Sequence, residues 1–253
     1  MTKNVDREHP GQRGSAAPGI REYRFAILLG ALTLMMVSSP IIRSLGSGMG
    51  TTPADIAVTI LFSFVVLSAV FAVSRSRKQQ VVALLLAIPT VVVQGAYAWS
   101  PSGGVAVAFH VVGILFLTYA VVLVVRFLFS GNRVTPDVIC ASLCVYLLLG
   151  VAWAIAYSLI ELLVPGSFSF SFAEDGDADL MRFGGERTFI PIYYSLVTMS
   201  TLGYGDIIPT SSSARACAAL QAVVGPLYLI VLVARLVGLQ VSQANEKQQE
   251  ARK

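Results

Sequence analysis

The feature that most constrains this chain is a series of long apolar runs, at 25–42, 56–73, 81–99, 105–129, 135–164 and 214–240. A helix of about 20 apolar residues crosses the ~30 Å hydrocarbon core of a bilayer, and these runs are long enough to do so. Lipid offers a backbone no hydrogen-bond partners, so each run is expected to be a helix that satisfies its own backbone. Composition agrees: 55% of the 253 residues are hydrophobic and only 13% are charged, more apolar residue than a soluble core needs. Six spanning helices are therefore expected. Pro89 falls inside the third and predicts a kink there.

Between the runs the chain is polar. Residues 1–22 contain Pro10, Gly11, Gly14, Pro18 and Gly19 and read as a disordered arm. Arg21 and Arg24 precede the first run, which is long for a cleaved signal and lacks a clear small-residue cleavage site. Thr135, Pro136 and Asp137 read as the N-cap, first position and acidic first turn of the fifth helix. Residues 165–187 are rich in Gly, Ser and acid. The run at 189–200 is too short to span, so it predicts a helix that enters the membrane and turns back. Thr210 to Ser213 form a second cap region before the last run, and 241–253 reads as a polar tail extending that helix.

The re-entrant segment leads into Thr201-Leu202-Gly203-Tyr204-Gly205-Asp206. Glycine adopts left-handed backbone angles that other residues avoid. Glycines at 203 and 205 let successive carbonyls turn to one side of an extended strand, an arrangement that suits a cation. The segment resembles the selectivity filter of the tetrameric potassium-channel family, differing from TVGYG only in Leu202 for Val. The resemblance covers 135–240. It implies an all-α membrane protein of six transmembrane helices with a re-entrant pore helix and filter loop, assembled as a fourfold homotetramer. It also implies that carbonyls of Thr201, Leu202, Gly203 and Tyr204, with the Thr201 hydroxyl, coordinate K⁺, and that Gly205 turns the outer mouth. By the same resemblance Asp206, Tyr193, Tyr194 and Val197 support the filter. Tyr193 stands where the family places the aromatic that bonds Asp206, although the family's usual pair is tryptophan. Gly225 and Pro226 sit where the family often carries a gating hinge; close helix packing is the competing reading of that glycine.

Charge gives the orientation. With six spans and a cytoplasmic amino terminus, fourteen Lys and Arg fall inside and four outside. The positive-inside rule therefore places both termini in the cytoplasm and the Tyr204 end of the filter outside. A multi-pass protein of the cell membrane is expected, with an arm at 1–22, a four-helix sensor-like domain at 23–130, a pore module at 135–240 and a short tail at 241–253. The sensor-like domain lacks gating charges. Voltage sensing needs about 3–4 per subunit, and the fourth run carries only Arg126, near its cytoplasmic end, with His110 as its other group titrating near neutrality. Weak or absent intrinsic voltage dependence is expected. Glu174, Asp175, Asp177, Asp179 and Glu186 make 165–187 a solvated turret or an acidic vestibule. Arg235, late in the last run, is expected to snorkel toward headgroups.

The expected function is passive, selective K⁺ conduction, with K⁺ in the filter and no organic cofactor. The alternatives are a nonselective cation channel and a membrane subunit of a K⁺ transporter. The first usually alters the Tyr-Gly-Asp end kept here, and the second carries four degenerate filters in one long chain. No HExxH, GxSxG or GxGxxG occurs, so neither an enzyme nor a nucleotide-binding regulatory fold is expected. Cys140, Cys144 and Cys217 lie in apolar runs without a CxxC and read as inert thiols. Membrane lipids and three further copies of the chain are the expected partners; nucleic acid is not, and the sequence names no regulatory partner.

Overall fold

The computed structural model describes residues 23–45, 51–73, 76–99, 103–131, 133–172, 180–183 and 188–252. The arm at 1–22 and the acids Glu174, Asp175, Asp177, Asp179 and Glu186 lie outside them. Among the described residues seven helices follow in order: α1 (Arg24–Leu45), α2 (Thr51–Val73), α3 (Arg77–Trp99), α4 (Gly103–Ser130), α5 (Pro136–Leu163), α6 (Phe189–Met199) and α7 (Ser212–Ala251). Among the described residues α3, α4, α5 and α7 are long and apolar enough to cross a membrane. The described apolar stretches of α1 and α2 are shorter, Arg24–Ser38 and Ile60–Ala72.

Local chemistry sets the helix ends. Thr135 has extended backbone angles, and its hydroxyl accepts the Val138 N–H at 3.3 Å while Pro136 opens α5. Ser211 does the same for Ala214 at 3.2 Å and opens α7. Pro89 and Pro226 both lie within continuous helix.

α1 packs on α2 and α5, α3 on α4, and α4 on α5. Phe25, Phe62, Phe109, Phe116 and Leu148 are fully buried at these contacts. Burying one such side chain stabilises by about 1.5–3 kcal/mol relative to water; inside a bilayer the driving force is packing instead. α6 is wedged between α5 and α7.

A two-stranded antiparallel sheet joins the turret to the segment after the filter, a feature the all-α expectation lacked. β1 (Phe168–Phe170) pairs with β2 (Ile207–Pro209) in the register Phe168 to Pro209 and Phe170 to Ile207. Further bonds run from Ser171 N–H to Asp206 O at 2.9 Å and from Thr210 N–H to Ser167 O at 2.8 Å. Its signal was in the sequence: Ser and Phe alternate from Ser167 to Phe172, the period of a strand with one face buried. The buried face, Phe168 and Ile207, meets Tyr157 and Tyr194 in a second apolar cluster.

Candidate filter and its support

The loop after α6 alternates in handedness. Thr201, Gly203 and Gly205 have φ of 59°, 54° and 78°, while Leu202 and Tyr204 do not have positive φ. Glycine takes such angles freely, but a β-branched threonine does not. Its conformation is held by the end of α6, where Thr201 N–H donates to Thr198 O at 3.0 Å. Leu202 N–H and Gly203 N–H both turn back to Val197 O, at 3.0 and 3.4 Å. Peptides here are trans, so each carbonyl points opposite to the N–H of its own peptide unit. The carbonyls of Ser200, Thr201 and Leu202 therefore point away from α6, on one side of the loop. Residues 201–205 are exposed in the single chain.

The outer end is tied by Asp206. Tyr193 donates its phenol proton to Asp206 Oδ2 at 2.7 Å, and Asp206 Oδ1 accepts the Ile207 N–H at 3.1 Å. Tyr193 belongs to α6 rather than to a spanning helix. Its hydrogen bond to Asp206 pushes its phenol up to about 12, so it stays a donor at neutral pH.

Of the residues expected to support the filter, Tyr193, Val197 and Asp206 are brought together with it. Tyr194 turns the other way. Its ring meets Tyr157 at 4.9 Å and Phe168 at 5.3 Å, both edge to face, and so fixes α6 against α5 and the sheet. Such pairs are worth about 0.5–1.5 kcal/mol beyond area burial.

Gly225 is buried on α7. A Cβ there would lie 2.2 Å from Met199 O and 2.8 Å from Met199 Cγ. The glycine thus gives α7 a close approach to the last residue of α6, the close packing that is the competing reading of this position.

Gln221, one turn earlier, carries no motif that would single it out in the sequence. It is fully buried. Its Oε1 accepts the Tyr157 hydroxyl at 2.5 Å, and its Nε2 donates to Ser195 O at 3.0 Å and Ser195 Oγ at 2.7 Å. Ser195 Oγ in turn donates to Gly150 O at 2.7 Å. This chain of bonds joins α5, α6 and α7 directly behind the filter. Its one sequence signal is an amide inside an apolar run, where a polar group must find a partner.

Residues 143–240 match the family model described as "Ion channel". These residues carry an ion-channel domain. A relative, "Two-pore potassium channel 4" of Arabidopsis thaliana, is 33% identical over 82 residues, 31% of this chain and 27% of that protein. The chain thus matches little more than a quarter of that relative's length. No solved structure matches. The ion-channel domain spans most of α5, all of α6 and the apolar part of α7. Together with the apolar helices it makes this a membrane-embedded, multi-pass protein.

Arg235 also departs from expectation. Instead of extending toward headgroups, it donates to Leu128 O at 3.0 and 2.7 Å and to Gly131 O at 2.8 Å, with its guanidinium over the Phe129 ring. It fastens the middle of α7 to the last turn of α4.

Proposed function

We propose that four copies of this chain form a potassium-selective channel that conducts K⁺ passively across a cell membrane. The observation that carries this reading is the alternating backbone of residues 201–205, with the N–H groups of Thr201, Leu202 and Gly203 turned back to α6 and the carbonyls of Ser200, Thr201 and Leu202 turned away. Four such ladders around one axis replace the water shell of a dehydrated K⁺. Carbonyls of Thr201, Leu202, Gly203 and Tyr204 are the ligands, with the Thr201 hydroxyl at the inner end. The C-terminal end of α6, carrying roughly half a negative charge from its dipole, favours a cation beneath them.

One chain supplies one ladder, so the ring closes through a heterologous interface. Two exposures support this. Leu202 is 54% and Tyr204 66% exposed in one chain, and a neighbouring copy would cover them. α7 presents Leu220, Val223, Leu227 and Ile230 outward at helical spacing, a stripe suited to a neighbour, a pore wall or lipid.

In this reading six helices span, both termini are cytoplasmic, α1–α4 form a sensor-like domain without gating charges, and the chain is not an enzyme. The test is the reversal potential of purified protein in a planar bilayer under opposed K⁺ and Na⁺ gradients. A value near the K⁺ equilibrium potential supports selective conduction; a value near zero assigns a nonselective cation pore.

A further inference from the structure

A cavity of about 210 Å³ opens where α1 begins and α4 ends, lined by Arg24, Phe25, Gln79, Arg126, Phe127 and Ser130 among others. Its chemistry is two-sided. Phe25, Leu123 and Val124 give it a buried apolar wall. Arg24 and Arg126 bring two guanidinium groups, the side chains best suited to a planar grip on phosphate.

Arg24 is already held in place. It lies 3.8 Å from Asp137 Oδ2, and its guanidinium sits 4.8 Å from the Phe25 ring and 5.0 Å from the Phe127 ring. Arg126 is exposed and forms no salt bridge among the described residues. The cavity thus keeps a net positive charge after Asp137 is counted. Gln79 accepts the Ser76 N–H through Oε1 at 3.3 Å, which leaves its NH₂ to donate. Arg24 and Gln79 also lie in the first turns of α1 and α3. The Gln79 N–H is already capped by Ser76 Oγ at 3.3 Å, so what these two helix N-termini offer an anion is the positive end of the dipole. The C-termini of α2, which brings Ala72 to the lining, and of α4 oppose this, but α4 bears Arg126.

We infer that this cavity binds the phosphate of an anionic phospholipid headgroup. A lipid is favoured over free phosphate because the cavity has an apolar wall and lies at the ends of apolar helices, at the depth of headgroups. Basic pockets between helices at a membrane surface bind lipid headgroups by this combination. The inference needs only that the chain lies in a membrane, not that it conducts K⁺.

Native mass spectrometry of the detergent-purified protein tests it without any current measurement. The probes are phosphatidylglycerol, phosphatidylcholine and inorganic phosphate. Wild type is expected to retain phosphatidylglycerol in preference to phosphatidylcholine. Arg126→Gln should lower that retention about tenfold, equivalent to 1.4 kcal/mol, and Arg126→Lys should fall between. Arg133→Gln, an exposed charge off the cavity, should behave as wild type. Displacement of the lipid by inorganic phosphate would also support the site, identifying phosphate itself as what is recognised. Equal retention by wild type and Arg126→Gln, or an equal loss in Arg133→Gln, would overturn the inference. Arg126 is exposed, so its variants are expected to fold, and a thermal melt checks this. Arg24→Gln is the second variant, expected to lose retention at least as strongly.

Discussion

The two halves of this molecule handle buried polar groups differently. Among the described residues of α1–α4, Ser68 bonds within its own helix to Val65 O at 2.9 Å, Thr90 to Leu86 O at 2.7 Å and His110 to Ala106 O at 2.7 Å. Ties between those helices are longer, as from Ser63 to Gln94 and from Tyr119 to Gln79 O, both 3.2 Å. In α5–α7 polar groups reach across elements: Tyr157 to Gln221, Gln221 to Ser195, Ser195 to Gly150, Tyr193 to Asp206, and Tyr228 to Ser142 O at 2.7 Å. A bond within one helix leaves its neighbours free to shift, whereas a bond between helices fixes their relative position. The half that holds a carbonyl ladder is the half whose helices are mutually pinned. Arg235 links the two.

The largest effect should come from adding one methyl group to each half. Gly225→Ala drives a Cβ into Met199 O, an overpacking of about 1–3 kcal/mol per chain, and should abolish K⁺ flux from vesicles. Gly95→Ala in α3 meets nothing within 4 Å; it should leave flux intact and raise stability by up to about 1 kcal/mol. Equal outcomes would break the comparison.

Next comes deletion of one polar group in each half. Gln221→Leu leaves Tyr157 and Ser195 without their partner and should cost about 1–3 kcal/mol in thermal stability. Thr90→Val should cost no more than about 0.5 kcal/mol, because Leu86 O keeps its place in the helix. Tyr193→Phe should be milder than Gln221→Leu, about 1 kcal/mol, since Tyr193 is half-buried. Its effect should show as faster decay of sustained K⁺ current rather than as unfolding.

The smallest effect is expected from voltage. One charge crossing the field is worth about 2.3 kcal/mol per 100 mV, and α4 carries only Arg126, near its end. The conductance–voltage curve should be nearly flat, and a steep one would assign α1–α4 a sensing role.

Much of the half that carries the ion-channel domain was legible because its signals are local. The caps at Thr135 and Ser211, the short α6 and the alternating glycines follow from residue type and spacing, and the Tyr193–Asp206 bond from the resemblance that the 201–206 motif carries. The β1–β2 pair was written just as locally, in the Phe–Ser alternation, but a polar, Gly-rich surrounding masked it. Gly225 shows the opposite problem. A hinge and a close contact both call for glycine, and only the position of Met199 shows the contact. The Gln221 chain was illegible for a third reason: its partners lie 64 and 26 residues away, and no periodicity carries that information. Arg235 likewise needed α4 in place before its carbonyl partners could be known.

The central claim is that four backbone ladders hold bare K⁺ in a column. The most direct measurement is anomalous diffraction from the crystallised protein with rubidium in place of potassium. The account predicts a fourfold ring with anomalous peaks along its axis, level with the carbonyls of Thr201 to Tyr204. A ring whose axis carries no ion at that level, or a protein that crystallises as a monomer, would contradict it.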